Sequence, residues 1–322
     1  MACRCPENKI SLFAMPLLDA VKCSFCNLDA IYFARYSGRH YCTRHFSESV
    51  EKRVNREVRR QNILSRNSTV CVAVSGGKDS MTALALIRKA SESRSDIRLI
   101  AITVDEGITG YRSEAAGIVE EYCRREGIEW RYRSFREEAG FTMDRLAAAE
   151  RQRTTCAYCG VFRRNLLNSM AREAGAERLV TGLNLDDTAQ SVMMNMARGD
   201  TGRMAMMGPH LNKVEGLVPR AQPLRMIPEN EVLLFAMQNG IPFLRSSCPY
   251  SEEASRNLFR EIVLKMESEM PGARYSIAKS AASFSSARKK MNASKCTACG
   301  DITSGNVCRA CTLREELKHI LN

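Results

Sequence analysis

The sequence predicts an α/β protein built on a doubly wound parallel sheet, with a cysteine-rich metal module at each end. Three observations predict it. Buried-strand runs alternate with helical patterns between residues 69 and 198, as in strand–helix–strand units. A glycine turn, Ser75-Gly76-Gly77-Lys78-Asp79-Ser80, joins the first of these strands to a helix. Three C-x-x-C pairs lie outside the alternation, at Cys23/Cys26, Cys296/Cys299 and Cys308/Cys311, and a fourth, Cys156/Cys159, lies within it.

Residues 1–22 read as an extension. Its apolar run 10–18 (ISLFAMPLL) follows Arg4 and Lys9. The run contains a proline, lacks a small-x-small cleavage site and leads straight into a cysteine pair, so it is read as folded or loose chain rather than a leader. No run is long enough to span a membrane. Residues 23–46 form the first module, C-x2-C-x15-C-x2-H, from Cys23, Cys26, Cys42 and His45. Residues 47–66 read as a basic helical linker. Arg53, Arg56 and Arg60 share one helical face there, either as a solvated face or as a stripe for nucleic-acid phosphate.

The core is expected over 67–225. Strands are read at Thr69–Val74, Ile97–Val104, Glu129–Phe135 and Arg178–Thr181. Helices are read at Met81–Ser93, Ser113–Glu126, Phe141–Arg153, Ala157–Ala174 and Asp186–Arg198. Ligands of such sheets bind beyond the carboxyl ends of the strands. Ser75, Asp105 and Gly182 fall at those ends. Residues 226–291 continue the core with helices near Glu229–Asn239, Glu252–Met270 and Tyr275–Met291. Residues 292–322 hold the second module, C-x2-C-x8-C-x2-C, from Cys296, Cys299, Cys308 and Cys311, and a tail. Both modules suit four-ligand structural Zn²⁺, which supplies the folding energy that so small a core cannot.

The bulk composition fits this plan. The chain has 322 residues, 44% of them hydrophobic, enough for one large core. Its 48 Lys and Arg against 36 Asp and Glu give a net charge of +12. That excess points to a polyanion such as nucleic acid. Fourteen cysteines, largely in C-x-x-C spacing, mean metal or redox chemistry in a reducing compartment.

The glycine turn is built for phosphate. Backbone N–H groups and the helix dipole converge at such a turn. Gly76 and Gly77 let the backbone approach an anion. Lys78 can neutralise a phosphate, and Ser75 and Ser80 can donate hydrogen bonds. Asp79 suits orienting the loop or holding Mg²⁺.

SGGKDS after an apolar strand resembles the PP-loop of the N-type ATP pyrophosphatases, a HUP-like, Rossmann-type fold. The resemblance implies that the loop grips the pyrophosphate end of ATP, and that the enzyme adenylates a carbonyl oxygen and releases pyrophosphate. The loop alone does not choose a substrate among such enzymes.

The cysteines narrow the choice. Cys156 and Cys159 open a helix whose N-terminal dipole is expected to lower their pKa. Cys248, in SSCPY, is a third candidate. From spacing alone the set fits a 4Fe–4S cluster with one open iron, persulfide chemistry or a structural zinc. PP-loop, CxxCG helix, TG-x-N-x-D-D segment, later Cys-Pro and two flanking modules together resemble the two-thiouridine tRNA sulfurtransferase group, over about residues 20–315. The resemblance implies a 4Fe–4S cluster on Cys156, Cys159 and Cys248. It implies a catalytic lysine and aspartate at Lys78 and Asp187. It gathers Val104, Gly182 and Arg163 around ATP with the loop, and has Arg163 and Arg164 approach ATP or tRNA. It also implies that the zinc modules clamp tRNA, with phosphate contacts from Arg53, Arg56, Arg60, Arg288 and Lys289. One departure stands out: Leu183 replaces the usual histidine of TGHN, so no histidine can act there. Cys3 and Cys5 have no counterpart and read as unpaired thiols.

The expectation is therefore a cytoplasmic, ATP- and Mg²⁺-dependent tRNA uridine 2-sulfurtransferase. It adenylates uridine O2 and replaces it with sulfur, from a ubiquitin-like thiocarboxylate protein or sulfide. Arg198-Gly199-Asp200 and CRACTLREEL favour the anticodon wobble uridine over the T-loop. Members of the group are often dimeric, so the resemblance allows a homodimer, but the sequence does not fix the oligomeric state. Lysidine-type modification, or a zinc RNA-binding protein with an inactive ATP fold, are the rivals. Three core cysteines oppose the first, and Lys78, Asp79 and Asp187 the second.

Overall fold

A computed structural model describes residues 21–212, 214–253, 256–284 and 294–321. Cys3, Cys5, the 10–18 run, Arg288 and Lys289 lie outside the described residues. The described residues form two compact units, one running up to residue 46 and one from residue 47 on.

In the first unit, β1 (Tyr32–Ala34) and β2 (Arg39–Tyr41) make an antiparallel hairpin with Tyr32 opposite Tyr41. Gly38, at φ +65°, takes the left-handed turn position between them. Helix α1 (Thr43–Arg60) then begins. Val50, Val54 and Val58 form its buried stripe, at the i, i+4 spacing of one helical face.

The second unit is the predicted parallel sheet with its crossover helices. In order come β3 (Ser68–Ala73), α2 (Lys78–Ser91), β4 (Ile97–Asp105), α3 (Tyr111–Glu126) and β5 (Glu129–Ser134). Next are α4 (Phe135–Ala139), α5 (Met143–Ala148), α6 (Thr155–Glu173), β6 (Arg178–Val180) and α7 (Leu185–Ala197). Then come α8 (Thr201–Ala205), β7 (Arg220–Ala221), α9 (Glu229–Gln238), α10 (Arg256–Glu269) and α11 (Ala273–Phe284). The five strands lie in the order β5-β4-β3-β6-β7, all parallel. The chain reverses direction across the sheet beside β3, which opens a crevice above its carboxyl end.

Three expectations change. The helix read at 141–153 is only the short α5, Met143–Ala148, which Thr142 caps by accepting from Arg145 N at 3.2 Å; an unread short helix, α4, precedes it and ends at Gly140, φ +76°. The helix read from Glu252 opens instead as a 3₁₀ turn, Pro249–Glu253, before α10. Strand β7 went unread, since two residues carry no periodicity.

The second cysteine module has β8 (Ser294–Lys295), β9 (Ile302–Thr303) and α12 (Arg309–Leu321). It packs into the main core. Cys296, Cys308, Leu313 and Leu317 share one buried cluster with Phe162 and Leu166. Gly216 permits this approach: a Cβ there would lie 2.3 Å from Ile302 Cγ1. Among the described residues, no helix is long and apolar enough to cross a membrane.

Candidate active site

The phosphate loop lies between β3 and α2, with Gly77 at the helix N-cap. Gly76 sits at φ +80°, and a Cβ on it would be 2.8 Å from the Ala115 carbonyl oxygen. Both facts demand glycine. Inside the loop, Ser75 N donates to Ser80 Oγ at 3.1 Å, and Ser80 Oγ donates to Gly77 O at 2.9 Å. A buried arginine holds the loop from below. Arg112 Nη1 donates to Ser75 O at 3.1 Å, and Arg112 Nε lies 2.6 Å from Glu106 Oε2.

Charged groups converge at the loop. Lys78 Nζ is 2.9 Å from Asp79 Oδ2 and 2.8 Å from Glu229 Oε1. Burial works to lower the Lys78 pKa, but the two carboxylates outweigh it and hold it raised. Asp187 caps α7 in a reciprocal box with Asn184, whose side-chain amide also donates to Asp79 Oδ1 at 3.0 Å. Arg256 Nη1 lies 2.8 Å from Asp187 Oδ1. Burial raises the Asp187 pKa, with Arg256 opposing and Asp79 and Glu229 adding. The neighbouring Asp186 is structural: it binds Arg274 at 2.8 Å and accepts from Glu229 N at 2.7 Å.

A cavity of about 620 Å³ opens over these groups, within the range of small-ligand sites. Ser75, Gly77, Asp79, Ser80, Gly182 and Asp187 line one side. Val104, Arg163, Arg164 and Leu183 also line it. Gly182 abuts the loop so closely that a Cβ would meet the Asp79 carbonyl at 2.8 Å. Asp79 and Asp187 both offer carboxylate oxygens to the cavity, and Mg²⁺ binds one or two carboxylates together with phosphate oxygens.

Helix α6 links this cavity to the core cysteines. Cys156 and Cys159 sit in its first turns, one to two turns before Arg163 and Arg164. Cys156 Sγ lies 3.7 Å from Tyr250 O, and Tyr250 Oη donates to Asp144 Oδ1 at 2.6 Å, which fixes the Cys248 loop. Leu244 N, four residues before Cys248, donates to Gly76 O at 2.8 Å. The loop of Cys248 is thus hydrogen-bonded to the phosphate loop.

The expected lowering of the thiol pKa does not hold for Cys159. Burial pushes it up to about 12, while Arg163 opposes and Glu106, Cys156 and Cys248 add to the rise. The loss of hydration outweighs the helix dipole. Among the described residues, the sets with donor atoms all within 4.8 Å are the two terminal modules. The three core thiols are not such a set. Cys156 is exposed, which leaves the site an open side.

The terminal modules are tighter. Cys26 Sγ is 3.7 Å from Cys42 Sγ, and His45 Nδ1 is 3.4 Å from both Cys23 and Cys42. Cys299 Sγ is 3.7 Å from Cys308 Sγ. Tetrahedral Zn²⁺ with Zn–S of about 2.3 Å spaces its sulfurs by about 3.8 Å, so both sets fit. Burial alone would raise the Cys23 thiol, but backbone donors from Cys42 and Phe25 lower it to about 6.

The basic stripe on α1 is only partly open. Arg56 and Arg60 are exposed, and Arg60 pairs with Glu57 at 3.0 Å. Arg53 is turned inward. It ion-pairs with the fully buried Glu231 and donates to Tyr275 Oη at 3.2 Å, because the buried carboxylate needs a partner. Glu106, Arg112, Glu229 and Arg256 escaped the sequence reading. Only Glu106 had a signal, as the acid after a strand end.

Comparison with known proteins agrees with this geometry. The PP-loop domain family matches residues 46–267. The family described as "2-thiouridine synthetase TtuA, N-terminal LIM domain" matches residues 22–47. The tRNA 2-thiolation protein NcsA of Haloferax volcanii is 36% identical, over 93% of this chain and 100% of that protein. Cytoplasmic tRNA 2-thiolation protein 1 of Saccharomyces cerevisiae is 32% identical, over 86% of this chain and 80% of that protein. A solved structure, the U34-tRNA thiolase NcsA from Methanococcus maripaludis with its 4Fe–4S cluster, superposes with a TM-score of 0.82 at 33% identity, covering 92% of this chain and 96% of that one. The chain belongs to the PP-loop family of tRNA 2-thiolation proteins.

Proposed function

We propose that the chain is an ATP-dependent tRNA uridine 2-sulfurtransferase acting on the anticodon wobble uridine. The observation that carries the reading is helix α6. It bears Cys156 and Cys159 in its first turns and puts Arg163 and Arg164 on the wall of the phosphate cavity. One rigid element therefore spans the sulfur side and the ATP side.

The phosphate loop holds the pyrophosphate end of ATP with its N–H groups, and Lys78 neutralises charge on it. Asp79 and Asp187 would hold Mg²⁺, which would supply charge neutralisation for the phosphates. The target base leaves its stack to reach the cavity. Uridine O2 then attacks the α-phosphate: the O2–P bond forms, the bond to the β-phosphate breaks, and pyrophosphate leaves. Sulfide attacks C2 and AMP departs with the old O2. Cys156, Cys159 and Cys248 would hold the 4Fe–4S cluster, which supplies a binding place for the incoming sulfur. A ubiquitin-like thiocarboxylate or free sulfide is the donor. The U34 thiolase structure supports the wobble position, and the yeast relative's name supports a cytoplasmic setting. The resemblance supports a homodimer.

The test is anaerobic incubation of reconstituted protein with tRNA, labelled ATP and sulfide. Pyrophosphate and 2-thiouridine in the anticodon are expected, with product located by mass spectrometry. Thiolation in the T-loop would move the substrate. RNA binding with no pyrophosphate would leave an inactive ATP fold. Cys156→Ala is expected to lose brown colour and thiolation while keeping its zinc.

A further inference from the structure

We propose that Arg164 and Arg220 form a second phosphate site in the cavity, holding a backbone phosphodiester of the RNA beside the target uridine. The site rests on the RNA substrate proposed above.

Neighbouring arginines of α6 diverge. Arg163 reaches Glu106 at 3.4 Å, beyond the end of β4. Arg164 folds back over its own helix: a Cβ on Gly160 would lie 3.1 Å from Arg164 Nη1. Arg220 comes from β7, opposite Leu179 of β6 and bridged to His210. Both side chains line the cavity. Among the described residues, neither has a hydrogen-bond or carboxylate partner.

The other arginines that line the cavity have acid partners. Arg112 and Arg163 have Glu106, and Arg256 has Asp187. Two guanidiniums without acids in one cavity repel each other and lose hydration. Burial, then Arg220 and Arg163, depress the Arg164 pKa, and burial depresses that of Arg220. Such an arrangement is stabilised by an anion from outside.

ATP already has its anion site. The phosphate loop follows β3, whereas Arg220 stands on β7, two strands away and on the side opposite β4 and Val104. Guanidinium forks match the paired oxygens of a phosphodiester. A second, separate phosphate source is therefore the fitting ligand, and the RNA strand entering the cavity carries one at every nucleotide.

Binding of a tRNA transcript and of ATP, measured separately on the full chain, tests this. Arg220→Gln and Arg164→Gln are each expected to weaken tRNA about tenfold and to reduce the slope of log affinity against log salt by about 1. ATP affinity is expected to stay unchanged, and Arg220→Lys to recover most RNA affinity. Arg124→Gln removes an equal charge from the outer face of α3, where Arg124 pairs with Glu121, and is expected to change tRNA affinity less than twofold. Loss of ATP affinity with RNA binding intact would assign the pair to the nucleotide and overturn the site. So would wild-type RNA binding in Arg220→Gln, or an equal loss in Arg124→Gln. A wild-type chain that binds no tRNA would overturn the functional reading and the site together.

Discussion

Arg256 Nη1 lies 2.8 Å from Asp187 Oδ1, across the phosphate cavity's rim and 69 residues apart in the chain. The Arg256 guanidinium favours an ionised Asp187 against burial and two neighbouring acids.

Arg256→Gln is therefore expected to raise the Asp187 pKa further above its ordinary value of 3.8. The sign follows from linkage. A carboxyl raised on folding favours the folded state when protonated, and that contribution fades as pH climbs from the ordinary value through the raised one. The stability gap between wild type and Arg256→Gln should open as pH passes the wild type's raised Asp187 pKa, widen up to the variant's still higher one, and then level. Thermal melts across pH, with Asp187→Asn as the flat reference, measure it. A gap independent of pH would refute the coupling.

Gly182→Ala should disturb the phosphate loop although it adds one methyl group. That methyl would meet backbone atoms of Asp79 and Ser80 at 2.8 Å, and backbone cannot step aside as a side-chain tip can. A destabilisation of about 1–3 kcal/mol is expected, with weaker ATP binding. Denaturant unfolding and ATP titration check both parts.

Glu106→Ala should cost more. Glu106 and Arg112 are a buried pair, with side chains 4% and 5% exposed. Removing one partner strands a buried charge, at about 3–5 kcal/mol. Arg112 keeps its carbonyl acceptor on Ser75, so Glu106→Gln, which retains an acceptor, should lose less. Equal midpoints for the two variants in urea would contradict this.

The two terminal metal-ligand sets, if zinc fills them as proposed, should differ in what their loss does. Cys308 belongs to the main buried cluster with Phe162 and Leu166, so Cys308→Ala is expected to release one zinc and lower the melting temperature of the core. Cys26 belongs to the separate unit 1–46. Cys26→Ala should release one zinc and leave the core transition in place. Calorimetry with zinc analysis distinguishes them.

Much of the candidate site was legible because its pieces are local. Ser75–Ser80 sits between a strand and a helix, so its glycines and hydroxyls converge through a few successive torsions. Cys23, Cys26, Cys42 and His45 also announce themselves by spacing. Other parts were hidden. Glu229 reaches Lys78 across 151 residues, and no spacing rule links such positions. Arg53 shares a helical face with Arg56 and Arg60, yet the face says nothing of the buried Glu231 that captures it. The Cys159 thiol was expected low because its helix end is visible in sequence, whereas the burial that raises it is not.

By itself, the sequence determined the α/β alternation, the phosphate loop and the two terminal sets of metal-type ligands. Each follows from short-range periodicity or from residues a few bonds apart. Only the tertiary structure decided which charges are neutralised and which are left facing the cavity. Strand order β5-β4-β3-β6-β7 brings remote carboxylates to Lys78 and leaves Arg164 and Arg220 without any among the described residues. Charge balance depends on distance through space and on lost hydration, and neither is written in the order of residues along the chain.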